Sequence, residues 1–127
     1  MTTLLICLML AMLLPYFSKA PVAIAMAKQG PYDNNHPREQ QASLTGMGAR
    51  AVAAHQNSFE SLLIFACAVL AVLATGKVNL VAEFAAMVHI VARVAYHILY
   101  LKNKGTLRSL SWFVGIIASF VIFSQAF

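Results

Sequence analysis

Apolar residues run along this chain in four long blocks, about 4–27, 47–75, 78–101 and 107–127, separated by short polar interruptions. Each block is close to the roughly 20 residues that an α-helix needs to cross a hydrocarbon core. The first contains Pro15, Lys19 and Pro21, so a kinked helix is expected there. It does not read as a cleavable leader, because Met1-Thr2-Thr3 lacks basic residues and Pro21 follows Ser18-Lys19-Ala20 directly. Residues 28–46 form the longest polar stretch and read as a loop, with Ser43 or Thr45 available to cap the next helix. Gly76-Lys77 is a tight break that predicts an antiparallel hairpin of the second and third spans, and Lys102 to Thr106 turns into the fourth. The expected architecture is a single all-α membrane domain over residues 1–127, a bundle of four transmembrane helices with no room for an extramembrane domain.

Composition supports this reading. Hydrophobic residues make up 61% of the chain and charged residues 10%, against an apolar share of about 45–50% in soluble domains. A soluble globular domain and a disordered chain are both excluded. Nine Lys/Arg against four Asp/Glu give a net charge of +5, and in a membrane protein such an excess orients the chain rather than pointing to nucleic acid. Lys28, Arg38, Lys102 and Lys104, flanked by Arg50 and Arg108, fall in or beside the first and third connections, whereas the second carries only Lys77. The two richer connections are therefore assigned to the cytoplasm and both termini to the opposite side. Cys7 and Cys67 lie inside apolar blocks without ligand-like spacing and read as packing residues, so no disulfide and no metal site is expected.

An ionisable side chain at the centre of a span costs about 2.5–3.5 kcal/mol on insertion scales, so each one retained there needs a reason. The second span holds Arg50, His55, Asn57 and Glu60, and the third holds Glu83, His89, Arg93 and His97 beside Tyr96 and Tyr100. Helical spacing gathers 50, 57 and 60 on one face and 89, 93, 96, 97 and 100 on another. Glu60 and Arg93 are equally far along the chain from the Gly76-Lys77 turn, so they sit level, roughly 12–14 Å below the cytoplasmic surface. Asn57 and Tyr96 are level in the same way. One reading is that Glu60 and Arg93 neutralise each other and hold the helices in register. The excess of Arg50, Arg93 and Arg108 over one acid leaves cationic capacity for an anionic ligand, and an arginine fork suits a carboxylate. His55 and His97 are expected to make interhelical hydrogen bonds, and His89 and Glu83 to serve packing or interface roles. Tyr96, Tyr100 and Trp112 fit an interfacial aromatic belt equally well. Gly115 and Ser119 form one small-residue pair suited to close helix packing, within the chain or between subunits.

The run Gly48-Ala49-Arg50-Ala51-Val52-Ala53-Ala54-His55-Gln56-Asn57-Ser58-Phe59-Glu60 resembles the second-helix signature of the MAPEG family, the membrane-associated proteins of eicosanoid and glutathione metabolism. Arg93-Val94-Ala95-Tyr96, Tyr100 and Arg108-Ser109 resemble the family's downstream pattern, and the loop with Tyr32-Asp33-Asn34 and Pro37-Arg38 is similar to that of bacterial members. The chain departs from animal members at Ala53, Gln56 and Trp112. The resemblance implies a homotrimer of four-helix subunits with glutathione bound between neighbours and reached from the cytoplasm. Arg50, Asn57, Glu60, Arg93, Tyr96 and Tyr100 would then line the glutathione site. Arg108 would hold the thiol sulfur with Ser109 close by, and Arg38 would be a further contact from the loop.

Resemblance and residues agree on the chemistry, because glutathione carries two carboxylates and an ammonium that match three arginines and a glutamate. Its thiol must ionise to attack, and a nearby cation at a helix start lowers the cost of doing so. The expected function is an integral membrane glutathione transferase, with peroxidase activity as an extension, acting on a hydrophobic electrophile or lipid drawn from the bilayer of a bacterial inner membrane. The alternative is a non-catalytic lipid-binding or scaffold protein of the same fold. A transporter relay through Glu60 and Arg93 is disfavoured by the lack of a second acid in that layer.

Overall fold

The computed structural model describes residues 1–127. Pro15 and Pro21 do not divide the first helix, and α1 runs unbroken over Thr2–Gln29. The polar stretch after it is ordered by its own side chains. Asp33 accepts the backbone N–H groups of Asn35 and His36, at 2.9 and 3.1 Å, and Gln40 clasps Pro31 O and the Asp33 N–H. This stretch, expected to be all loop, contains the short helix α2 (Pro37–Ala42), started by a proline whose missing N–H is not needed in a first turn.

Helix α3 (Gly46–Thr75) ends where Gly76 takes a left-handed conformation at φ 67°, and the N–H groups of Gly76 and Lys77 close on Leu73 O and Val72 O. Asn79 accepts the Ala82 N–H at 2.9 Å, so α4 (Leu80–Leu101) begins later than the apolar run at Val78 suggests. A second tight turn, with Asn103 at φ 57°, leads into α5 (Gly105–Ser124). Helices α1, α3, α4 and α5 are long and apolar enough to cross a membrane.

In cross-section the bundle is two triangles sharing an edge. Helix α1 packs on α3, α3 on α5, α5 on α4 and α4 on α1, while the shared edge is the diagonal contact of α3 with α4. Helices α1 and α5 make no close backbone approach. Two apolar plugs hold the ends. Leu4, Phe65, Val69, Val72 and Ile122 fill the end near Gly76, and Val22, Met26, Leu44 and Ala51 fill the other. Most other buried positions are Ala, Gly or Ser, which lets backbones approach in a medium where hydrophobic burial between helices supplies little drive. Met1 lies beside Glu83, and Lys77 donates to the Phe127 carbonyl, so both chain ends share the bundle end of the α3–α4 turn. The basic connections lie at the opposite end.

Candidate functional site

Between the two apolar plugs lies a polar layer. Arg93 on α4 is 2% exposed and points across the shared edge, where its Nη2 donates to Asn57 Oδ1 at 2.8 Å and Asn57 O at 3.3 Å. The Asn57 amide in turn donates to Glu60 Oε2 at 2.7 Å. Glu60 and Arg93 are thus level, but they form no direct ion pair. Arg93 sits inside the bundle and Glu60 on the exposed flank of α3, and an amide with both a donor and an acceptor bridges the gap. The only acid pairs in the chain join Glu83 to the Met1 amine and Asp33 to His36. No arginine or lysine side chain therefore lies within ion-pair distance of an Asp or Glu carboxylate.

Helical spacing on α4 then builds a ladder of cations and rings. The Arg93 guanidinium lies 4.2 Å from the Tyr96 ring centre, Tyr96 meets Tyr100 edge-on at 5.5 Å, and the Arg108 guanidinium lies 4.5 Å from the Tyr100 ring centre. Each contact sets a cation on a ring's negative face or a ring edge against the next face. Arg108 reaches the ladder because the short turn after α4 brings the first turns of α5 alongside, with Lys104 N–H bonded to Leu99 O at 2.9 Å. Together Asn57, Tyr96, Tyr100, Arg108, Ser109, Trp112 and Phe113 line a cleft of about 270 Å³ in the α3–α4–α5 triangle.

Of the residues expected at the site, Asn57, Tyr96, Tyr100, Arg108 and Ser109 line this cleft, and Arg93 and Glu60 join it through Asn57. Arg50 stands apart, two turns along α3, with Nη2 donating to Leu101 O at the carbonyl end of α4. Its Nε is buried without a partner. Arg38 is exposed on α2 and lines no part of the cleft. Phe113 was not singled out in the sequence, although its i,i+4 spacing from Ser109 puts it on that residue's face of α5.

The remaining polar residues serve the packing. His89 stacks on Phe65 at 4.0 Å and bonds Gly115 O at 2.9 Å and Ser119 Oγ at 3.1 Å. The small pair Gly115 and Ser119 is buried inside the chain against α4, and a Cβ at 115 would stand 3.4 Å from Arg93 Cδ. His55 bonds Pro15 O at 2.9 Å and Ser18 Oγ at 3.1 Å, while His97 bonds Ser58 Oγ at 3.0 Å, so both histidines do tie helices together.

A family model extends over this whole arrangement: that of the MAPEG family matches residues 3–127. The chain belongs to the MAPEG family. No curated protein and no solved structure matches it. The MAPEG assignment takes in all four apolar helices, which makes the chain a multi-pass integral membrane protein. Every residue of the cleft falls within the matched MAPEG region.

Proposed function

We propose that this MAPEG protein is a membrane glutathione transferase, with Arg108 and Ser109 at the reacting sulfur and Arg50, Asn57, Glu60, Arg93, Tyr96 and Tyr100 holding the tripeptide. The carrying observation is Arg108, a cleft guanidinium over the Tyr100 ring with no carboxylate within ion-pair distance. Its N–H donors are left for an anion, and the N-terminal end of α5 adds the positive pole of the helix dipole. A thiol placed there loses its proton to water more readily, because the thiolate is stabilised by charge and by hydrogen bonds. The thiolate then forms a carbon–sulfur bond with the electrophile, whose leaving group departs with the bonding pair. Ser109, one residue on and in the lining of the same cleft, would donate to that sulfur.

The carboxylates of glutathione would meet Arg50 and Arg93, and its ammonium would meet Glu60. The apolar rim at Trp112 and Phe113 suits a hydrophobic electrophile or lipid hydroperoxide arriving from the bilayer. Exposed Glu60 and Phe113 flank the cleft on its open side, and a neighbouring copy in a homotrimer would close it. In this reading the cleft opens to the bacterial cytoplasm and both termini lie across the inner membrane.

The test is ultraviolet thiolate absorbance during glutathione titration of purified protein near neutral pH. Saturable thiolate in the parent protein, lost in Arg108→Ala, is expected. No thiolate, together with no rise in unfolding temperature on adding glutathione, would reject the transferase and leave a lipid-binding or scaffold role.

A further inference from the structure

The second triangle of the bundle, α1–α3–α4, encloses a cavity of about 220 Å³ on the other side of the α3–α4 wall. An apolar cavity of about 150 Å³ already admits benzene, so this space is large enough for part of a lipid. Its floor is Ala51 and Ala54, at 1% and 2% exposed, where small side chains leave the room unfilled. Its mouth is formed by Phe17, Val94 and Ile98, which are 70%, 42% and 48% exposed, and all three lie within spanning helices. The cavity therefore opens sideways toward acyl chains rather than toward water. Pro21, on its edge, cannot return the hydrogen bond that the Phe17 carbonyl would otherwise accept.

One polar spot interrupts the apolar lining. Ser18 and His97 are the only polar side chains there, and no charged residue lines it. His97 uses Nε2 for Ser58 Oγ and makes no hydrogen bond through Nδ1. His97 lines the cavity, and its Nδ1 is left without a partner from the chain. Ser58 has one proton to share among Ala54 O and His97 Nε2, each 3.0 Å away, and Ser18 Oγ at 3.3 Å, and giving it to Ser18 leaves His97 as giving it to the carbonyl does. If it goes to the carbonyl, His97 Nδ1 is an acceptor; if it goes to the ring, Nδ1 is a donor. A ligand hydroxyl satisfies either case, whereas a carboxylate or phosphate finds no cation.

We propose that this cavity is a binding site for a neutral lipid with a single hydroxyl head, the hydroxyl on His97 Nδ1 and the chain passing between Phe17 and Ile98 to the bilayer. The site is separate from the glutathione cleft and does not depend on it. The two share a wall: Asn57 and Tyr96 face one side while their neighbours Ser58 and His97 face the other.

The experiment is photolabelling of the full chain in nanodiscs with a diazirine-bearing hexadecanol, mapped by peptide mass spectrometry. Label is expected on residues 14–21 and 94–101, and unlabelled hexadecanol should compete better than hexadecane by about three- to tenfold, the contribution of one hydrogen bond. Ala54→Leu narrows the floor and Val94→Phe blocks the mouth without touching the core. Both should abolish that labelling while helical circular dichroism is retained. His97→Phe should equalise the two competitors. Labelling spread evenly over all lipid-facing helices, insensitive to Val94→Phe, or equal competition by hexadecane in the parent protein, would overturn the proposal. Either result is independent of thiolate formation with glutathione.

Discussion

Asn57 decides whether the charges at the polar layer act together. Its amide accepts from Arg93 and donates to Glu60, so removing it leaves the buried guanidinium only the longer bond to the Asn57 carbonyl and frees an exposed carboxylate. Leaving a buried charged donor unsatisfied costs about 1–3 kcal/mol or more. Asn57→Ala should therefore lower the unfolding temperature and weaken glutathione binding by about tenfold or more, which calorimetric titration reads directly. Arg93→Met is the informative contrast. An apolar side chain of similar volume removes both the charge and its desolvation cost, so the fold should persist by gel filtration and circular dichroism while the glutathione-dependent rise in unfolding temperature disappears. If Arg93→Met binds glutathione like the parent protein, Arg93 is a structural residue only. The helical faces carrying Arg93, Tyr96 and Tyr100 were legible from spacing. The role of Asn57 as a bridge was not, because sequence places residues on a face and at a depth but does not say how far apart two faces lie.

At the scale of elements, punctuation residues set the helix ends. Gly76 occupies the left-handed region at φ 67° with open space around its Cα, so the cost of a side chain there is conformational alone. Gly76→Ala should destabilise by about 1 kcal/mol. Asn79→Ala removes the only side-chain N-cap among the four spanning helices and should cost a similar amount, about 1 kcal/mol. Denaturant or thermal unfolding in detergent measures both, and a change in oligomeric state without a change in stability would contradict the local explanation. The Gly76 turn was readable because glycine after a long apolar run has few other uses. Helix α2 was missed because a six-residue helix carries too few turns for a hydrophobic period, and its stability comes from Pro37 and from the Asp33 and Gln40 hydrogen bonds around it. The two prolines leave α1 a single helix, the one span the apolar block predicted, with Ser18 Oγ and His55 both bonded to the Pro15 carbonyl.

For the whole molecule, the bundle leaves the α3–α4–α5 cleft open along the α3 and α5 flanks, where Glu60 and Phe113 are exposed. Closure by neighbouring copies predicts that native mass spectrometry from detergent finds three chains of 13.8 kDa. A monomer that forms thiolate as efficiently as the assembled protein would show that one chain completes the site.

Four apolar blocks of spanning length, the excess of lysine and arginine in two of three connections, and polar stripes at helical spacing were fixed by order of residues alone. They are one-dimensional properties, and the bilayer makes them decisive: a span must satisfy its backbone internally and can do so only as a helix. The arrangement of the helices in cross-section was not fixed in that way. The sequence-adjacent hairpin of α3 and α4 became the diagonal of the bundle, α5 came to lie between them on one side and α1 on the other. That choice set Tyr96 toward Arg108 and His97 toward a second cavity. It depends on which small residues let which backbones approach, a matter of shape between surfaces distant in the chain, and so only the tertiary structure decided it.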